Sequence, residues 1–288
     1  MVRHTGGVLL LVPADPLRPR RADDQFAAEA AAARNAGITV ALIDHDALAD
    51  PAGAQRAVAR VPDAGGRAIY RGWMMSSASY TALADALTAR GVRLRTDADQ
   101  YRRAHELPGW YDELAPVTPE SLWTKGFSHA DFDLARASLG AGPAVLRDYT
   151  KSMKHYWHEA AFIPDLADDA AWAVASRFVE LRDDDLTGGF VLRRFEDFTG
   201  PELRTWWVDG VCRIVGPHPD LPADTVVPQP DLSDIEPLVA KLGLPFVTVD
   251  VVRRADGVWR VVELGDGQVS DRPPGTDPAA FLNAVLGP

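Results

Sequence analysis

An Asp-Gly pair set between two apolar runs constrains this chain more than any other feature. The stretch runs from Phe246 to Asp271, FVTVDVVRRADGVWRVVELGDGQVSD. Val247, Val249, Val251 and Val252 precede Asp256-Gly257, and Val258, Trp259, Val261 and Val262 follow it. Asp-Gly flanked by β-branched and aromatic residues is the strongest short-range hairpin signal, because a type I′ turn needs φ > 0 at both central positions. A two-residue loop at that pair predicts the register: Ala255 faces Val258, Val252 faces Val261, and Asp250 faces Glu263. Directly opposed side chains have Cβ atoms ~4.5–5.5 Å apart, and like charges there repel. Two acids so placed in apolar runs need a cation, a shared proton or a basic neighbour. A hard divalent ion such as Mg²⁺, itself holding substrate phosphates, meets that need. The alternative is an edge hairpin whose acids point at water.

The chain has 288 residues, enough for a large core and for two domains or one large one. Its net charge of −11 argues against a nucleic-acid partner, which needs a basic face. A locally basic cleft could still take an anionic small molecule. The one cysteine, Cys212, allows no intrachain disulfide and suits a reducing cytosol, so a cytoplasmic location is expected. No apolar run approaches a membrane span. Val8–Val12 is too short for a signal-peptide core and is followed by Pro13 and Asp15.

In chain order, Val8–Val12 reads as a buried strand, Ala22–Ala36 as a helix stopped by Gly37, and Ile38–Ile43 as a second strand. Such a unit implies a parallel pair with a crossover. A helix over Pro51–Val61, a strand over Arg67–Arg71, a helix over Ser76–Arg90 and a strand over Val92–Leu94 complete an α/β domain of residues 1–95. Residues 96–128 carry Tyr101, Trp110, Tyr111, Trp123 and Phe127 among several prolines. They read as a packed connector, since flexible linkers rarely hold such large apolar groups. Residues 129–288 alternate helices with at least six strands, mostly in hairpins. That is an α+β arrangement, read as two lobes of roughly 129–189 and 190–288. Its helices are expected at His129–Leu139, Asp168–Leu181, Asp231–Leu242 and Asp277–Leu286. A second Asp-Gly hairpin, Glu202–Val208 with Val211–Val215, puts Glu202, Arg204 and Trp206 on one face and Arg213 opposite Trp206. A substrate cleft is expected between the two architectures.

Chemistry concentrates in RDYTKSMKHYWH, where Arg147, Lys151, Lys154, His155 and His158 crowd together in an acidic protein. Arg and Lys clamps stabilise phosphoryl oxygens; otherwise this is a basic loop facing the surrounding acids. His155-x-x-His158-Glu159 is not the zincin H-E-x-x-H. The first βα turn, from Pro13 to Pro19, lacks G-x-G-x-x-G, and G-x-x-x-x-G-K-[ST] is absent throughout. Tyr70-Arg71-Gly72-Trp73 lies at a strand end, where α/β sheets bind ligands. Arg71 and Trp73, with Arg193, Arg194 and Trp206, are the candidate substrate selectors. The arginines among them favour a carboxylate-bearing substrate.

The order of these segments resembles a known family. A basic strand and loop (Arg147, Lys151, Lys154) comes first, then Val191-Leu-Arg-Arg-Phe-Glu-Asp-Phe198, Gly200-x-Glu202-Leu-Arg204, Asp250 on a strand, and Glu263-Leu-Gly-Asp-Gly-Gln268. From Tyr70 to Val269 the chain looks like an ATP-grasp protein of the clade named for two arginines and one lysine. The resemblance implies an ATP-grasp fold behind an N-terminal α/β pre-ATP-grasp domain, with ATP between two α+β lobes. It places strand Leu192–Phe198 beside adenine and ribose, with Glu196 and Arg193 as nucleotide contacts. Arg147, Lys151 and Lys154 would reach the phosphates, and Arg204 the γ-phosphate or an acyl-phosphate. Arg147, Lys154 and Arg204 are thus the expected catalytic cations. Asp250 and Glu263 would hold Mg²⁺. Family members carry Asn two residues after that Glu; here Gly265 stands there, and the third metal contact is assigned to Asp266. The family's glycine-rich phosphate lid is also absent, and Lys151-Ser-Met-Lys154 would replace backbone amides with charge.

The activity so implied is an ATP-dependent carboxylate–amine ligase acting on small-molecule or peptide substrates through an acyl-phosphate. The alternatives are a small-molecule kinase of the same fold and an ATP-binding protein without catalysis. The chain has no G-x-S-x-G elbow, and its one cysteine falls in an expected strand, so a side-chain nucleophile is not expected.

Overall fold

In the computed structural model, which describes residues 8–63, 65–222, 225–273 and 275–286, three four-stranded sheets form. The first is wholly parallel, in the order β2-β1-β3-β4: β1 Leu9–Pro13, β2 Thr39–Ile43, β3 Gly66–Tyr70 and β4 Val92–Leu94. Helix α1, Ala27–Asn35, starts later than its alanine run suggested. The chain first folds back so that Ala14 bridges Ala22 and the Asp23 N–H bonds to Pro13 O. The helix expected from Pro51 is one tight turn followed by α2, Ala54–Ala57. Helix α3, Ser77–Ala89, is capped by the Ser76 hydroxyl. One face of this sheet packs on α2 and α3, with Leu11, Val58, Leu83 and Leu87 in the core.

The connector is ordered throughout its described length. Helix α4, Ala98–His105, begins with a capping box of Asp97 and Gln100, and α5, Tyr111–Leu114, follows. Its last part is a strand of the next sheet. β5 Ser121–Trp123 pairs with β8 Val191–Arg194, which pairs with β6 Ala144–Arg147 and then β7 Phe162–Ile163. The small lobe therefore begins inside residues 96–128 and extends through Arg194, beyond the boundary at 189 read from the sequence. Helices α6, His129–Leu139, and α7, Ala171–Arg182, cover one face of it around Phe132, Phe178 and Phe190.

The large sheet has the order β10-β9-β11-β12, all antiparallel: β9 Phe198–Val208, β10 Val211–Pro217, β11 Phe246–Arg254 and β12 Trp259–Asp266. The strand expected over Leu192–Phe198 is thus broken at Phe195-Glu196-Asp197, where the chain passes from one lobe to the other. Asp209 and Gly210 have φ of 49° and 77°, the backbone of a type I′ turn. A bulge after Cys212 then puts Ile214, not Arg213, opposite Trp206. At Asp256-Gly257 the turn is different. Arg254 N–H bonds to Val258 O at 2.8 Å, and only Gly257, with φ of 94°, is left-handed. The loop is the three residues Ala255-Asp256-Gly257, and Val252 pairs with Arg260 instead of Val261. A bulge at Val262 restores the count, so Asp250 does pair with Glu263.

The faces of the large sheet have separate uses. Leu203, Trp207, Val247, Val249 and Leu264 pack on the connector and on α8, Glu236–Lys241. On the other face, Trp206, Val208 and Phe246 pack with Phe26, Leu10 and Val12 of the N-terminal domain and with the last helix, α9, Pro278–Leu286. Beyond Trp206 this face carries polar side chains.

Arg71 sits where these parts meet. Its side chain is 1% exposed and grips Glu29 of α1 through Nε–Oε2 at 2.8 Å and Nη2–Oε1 at 3.1 Å. Its Nη1 donates to the carbonyls of Gly267 (2.7 Å), Gln268 (3.1 Å) and Ser270 (2.8 Å), and its guanidinium lies over Trp206 and Phe281. The sequence reading of Arg71 as a substrate selector is corrected here. Every direction of its fork is used to join β3, α1 and the segment after β12, and none faces the cleft.

Candidate active site

The polar part of the large sheet is the floor of a cavity of about 580 Å³ between the lobes. Strand register sets one row, with Arg204 beside Asp250 and Asp250 beside Glu263. Thr248 and Gly265 form the next row, and Glu202 lies two residues before Arg204, on the same face by strand alternation. Arg204 binds Asp250 in a bidentate pair, Nε–Oδ1 2.8 Å and Nη2–Oδ2 2.7 Å. The basic neighbour that the opposed acids required is thus supplied, for Asp250, by the adjoining strand. His218 follows β10; its Nδ1 accepts the Asp220 N–H at 3.2 Å. Its Nε2 stands 3.0 Å from Arg204 Nη2, which can only donate, and 3.6 Å from Asp250 Oδ2. Glu202, His218 and Asp250 each offer a donor atom within 4.8 Å of the others, the one such group of three among the described residues.

The small lobe supplies cations to Glu263. Arg147 Nη2 and Lys151 Nζ stand 3.9 and 3.8 Å from Glu263 Oε1. Burial pushes the Glu263 carboxyl up, but Arg147, Lys151 and Arg204 more than offset it and hold it at about 2. Glu202 goes the other way. Burial first, then the charges of Asp250 and Glu263, raise it to about 7. The loop that presents Lys151 is built on Asp148, whose fully buried carboxylate accepts from Thr150 N, Lys151 N, Thr187 N and Arg182. Lys154 reaches across the cleft to Asp220, which raises the pKa of the ammonium despite its partial burial and lowers that of the acid. His105, from the connector helix, lines the same cavity, stacked on Tyr101. Burial, then Lys151, lowers it to about 4.

Arg193, Arg194 and Glu196, also assigned from the sequence, line the cavity too, with their polar ends held by protein partners. Glu196 is held by Arg260, Nε–Oε2 2.8 Å and Nη2–Oε1 2.7 Å, at the edge of the cavity. Arg193 is buried and donates to Thr118 Oγ1 and to the carbonyls of Val261 and Val262, which the bulge leaves free on that side. Its burial, with Arg147 nearby, lowers it to about 9, so it stays charged. Arg194 turns toward the carbonyls of Leu139 and Ala141. Trp73 also lines the cavity.

Of the three acids assigned to a metal from the sequence, only Asp250 belongs to the ligand cluster with Glu202 and His218; Glu263 and Asp266 do not. The pleat sets Glu263 and Gly265 on one face of the strand and Asp266 on that of Leu264, and Asp266 borders the cavity from there. Its Oδ1 accepts from Gln268 N (2.9 Å) and Nε2 (3.1 Å), while Oδ2 and Thr96 Oγ1 are buried without hydrogen-bond partners among the described residues. Burial raises its carboxyl to about 7. The folded state then keeps this proton while the unfolded chain, with the ordinary value of 3.8, has lost it. Stability on this account falls as pH rises from about 4 to about 7, by on the order of 4 kcal/mol. Asp266→Asn should match wild type in thermal melts near pH 4 and melt higher at pH 8. Equal melting at both pH values would show that Asp266 is ionised when folded.

Sequence reasoning did not single out His218, His105, Asp148 or Asp220. The first and last lie in an irregular proline-rich loop, and His105 ends a helix of the connector, so no period or motif marks them. Glu202 was already legible from its alternation with Arg204.

A parallel α/β domain followed by two lobes that clasp a basic and acidic cleft defines an ATP-grasp protein. Residues 138–285 match the model of an ATP-grasp domain family, the third family of the clade named for two arginines and one lysine, and the chain belongs to that family. No curated protein sequence matches it. Among solved structures it is similar to the RimK domain protein ATP-grasp from Sphaerobacter thermophilus DSM 20745, at 20% identity and a TM-score of 0.61, over 98% of this chain and 100% of that one. It is also similar to D-alanine–D-alanine ligase from Bacillus anthracis complexed with ATP, at 13% identity and 0.63, over 98% and 96%. The ATP-grasp ligase PsnB complexed with minimal precursor, Mg and ADP matches at 12% identity and 0.57, over 96% of each chain. At these identities the likeness shows the fold. No helix among the described residues is long and apolar enough to cross a membrane.

Proposed function

We propose that the chain is an ATP-dependent carboxylate–amine ligase working in this cavity. The observation that carries the reading is the convergence of Arg147 and Lys151 from one lobe on the row Arg204–Asp250–Glu263 of the other. Cations from two lobes facing paired acids suit a phosphate chain held across a cleft. Apolar Val145, Phe195, Phe198 and Val262 at the interlobe turn would receive the purine. Arg147 and Lys151 would meet the phosphates, and Lys154 would join them by exchanging Asp220 for a phosphate oxygen.

The acids fit a divalent cation. Three carboxylates, Glu202, Asp250 and Glu263, face one space, and Glu202 is raised by its burial first and then by the charges of Asp250 and Glu263. Asp250 and Glu263 would hold Mg²⁺, with Glu202 and His218 beside Asp250, and bound there it would neutralise phosphate charge.

In the reaction, a substrate carboxylate oxygen attacks the γ-phosphorus, the bond from that phosphorus to the β-bridging oxygen breaks, and ADP leaves. The amine nitrogen then attacks the acyl carbon. The nitrogen loses one ammonium proton to solvent before this attack, which frees its lone pair; the bond from that carbon to the phosphate oxygen then breaks, phosphate leaves with the electron pair, and the nitrogen loses a second proton to solvent. Lys151, Arg147 and Arg204 neutralise charge and position the reactants, and no side chain becomes covalently attached. The similar ligase structures support this reading. It is tested by ADP release from a panel of carboxylate and amine pairs with mass detection. Release that needs both partners, with a product equal to their sum less water, is the expected result. A stable phosphorylated product formed without an amine would instead mark a kinase.

A further inference from the structure

The end of the cavity next to the N-terminal domain has a chemistry of its own. There the motif Tyr70-Arg71-Gly72-Trp73 displays one residue and uses the other three to hold it. Arg71 is locked to Glu29 and three carbonyls. A Cβ on Gly72 would lie 2.2 Å from Tyr70 Oη, so only glycine fits the turn. The Tyr70 hydroxyl donates to Trp73 O at 2.9 Å and pins its backbone. The Trp73 ring packs edge-on against Phe26, centroids 5.0 Å apart, yet stays 40% exposed, and Met74 beside it is 42% exposed. Both line the cavity.

The polar groups at this end accept hydrogen bonds. Ser270 Oγ donates to Asp266 O at 3.1 Å, so in the 2.8 Å contact between Thr248 and Ser270 it is Thr248 that donates. Thr248 Oγ1 is left with lone pairs on the floor, one strand row from Asp250. Asp271, on the cavity wall, has the Gln25 amide at 3.3 Å and no ion pair among the described residues. Cations nearby are taken: Arg71 and Arg272 face Glu29, and Lys154 faces Asp220. An anion entering here would meet acceptors and an uncompensated carboxylate. A cation would meet that carboxylate and an indole face.

We propose that this end of the cavity selects the amine substrate, with its ammonium group beside Asp271 and an apolar or aromatic body against Trp73 and Met74. This rests on the ligase reading of the same cavity, and it replaces the carboxylate preference inferred from the arginines of the sequence. The carboxylate to be activated would then lie toward Arg204 and Lys151, with the amine entering from the Trp73 side.

The test uses the full chain and two probes of one shape and opposite charge, phenethylamine and phenylpropanoate. Binding is followed by ligand-observed NMR, with ADP affinity measured separately by calorimetry. Phenethylamine should bind about tenfold or more tighter than phenylpropanoate. Trp73→Ala should weaken the amine by about tenfold, and Asp271→Lys should reverse the order of the two probes, both leaving ADP affinity unchanged. Asp271 and Trp73 are surface-accessible, and unchanged melting of both variants would secure the comparison. Equal binding of the two probes, no binding of phenethylamine, or variants that alter neither probe would each overturn the proposal. Loss of ADP binding with the probe preference intact would overturn the nucleotide reading alone.

Discussion

Replacing Arg71 with methionine is expected to destabilise the protein by about 3–5 kcal/mol, the cost of removing one partner of a buried ion pair, with only Arg272, 3.8 Å away, left to face Glu29. Glu29, 3% exposed, would lose both contacts to Arg71, and three backbone carbonyls would lose their donor. At roughly 2–4 °C per kcal/mol the melting temperature should fall by about 10 °C. Arg71→Lys should recover only part, because one ammonium cannot span a bidentate carboxylate and three carbonyls. Adding Glu29→Leu to Arg71→Met should restore most of the loss, since an apolar pair of similar volume often matches a buried ion pair. A substrate-binding arginine would behave otherwise. Its loss would raise KM and leave melting unchanged.

The second large effect is expected at Glu263. Its carboxyl lies against Arg147 and Lys151, opposite Asp250, and it is ionised at any pH above about 2. Glu263→Gln keeps the shape and removes the charge. Substrate-dependent ADP formation should drop by roughly 10²–10³-fold, the scale for removing one preorganised electrostatic group. Melting should change little, because the side chain is 34% exposed and its pairs are long. Raising Mg²⁺ should recover part of the activity if the loss is in metal affinity. Wild-type ADP formation by Glu263→Gln would remove the metal assignment.

The sequence made the two acids of this pair legible, but by a route that contains two offsetting departures. The expected two-residue turn has three residues, and a bulge at Val262 returns the register. Hydrophobic alternation specifies which face a strand buries, and it specified the Asp250 face correctly. It does not mark where a single extra residue enters a ladder, because a bulge is set by what the neighbouring strands and side chains demand. Here the carbonyls of Val261 and Val262 are taken by Arg193, a partner 68 and 69 residues away.

Charge was similarly half legible. The cluster of Arg147, Lys151 and Lys154 was visible, and it does line the cleft. Arg71, Arg193, Arg194 and Glu196 were visible as charges too, but their partners come from distant segments: Glu29, Val262, Leu139 and Arg260. A sequence shows that a charge exists, whereas its use depends on which backbone carbonyls and acids the fold brings beside it. The pleat sets Asp266 one residue out of phase with Glu263.

The central claim is that a carboxylate in this cavity is activated as an acyl-phosphate. Once a productive pair is found, the most direct measurement uses a substrate labelled with heavy oxygen in its carboxylate. Mass spectrometry of the released phosphate should find one heavy oxygen per molecule, transferred when the acyl carbon–oxygen bond breaks, and the amide should retain the other. Unlabelled phosphate alongside a fully labelled product would contradict the account.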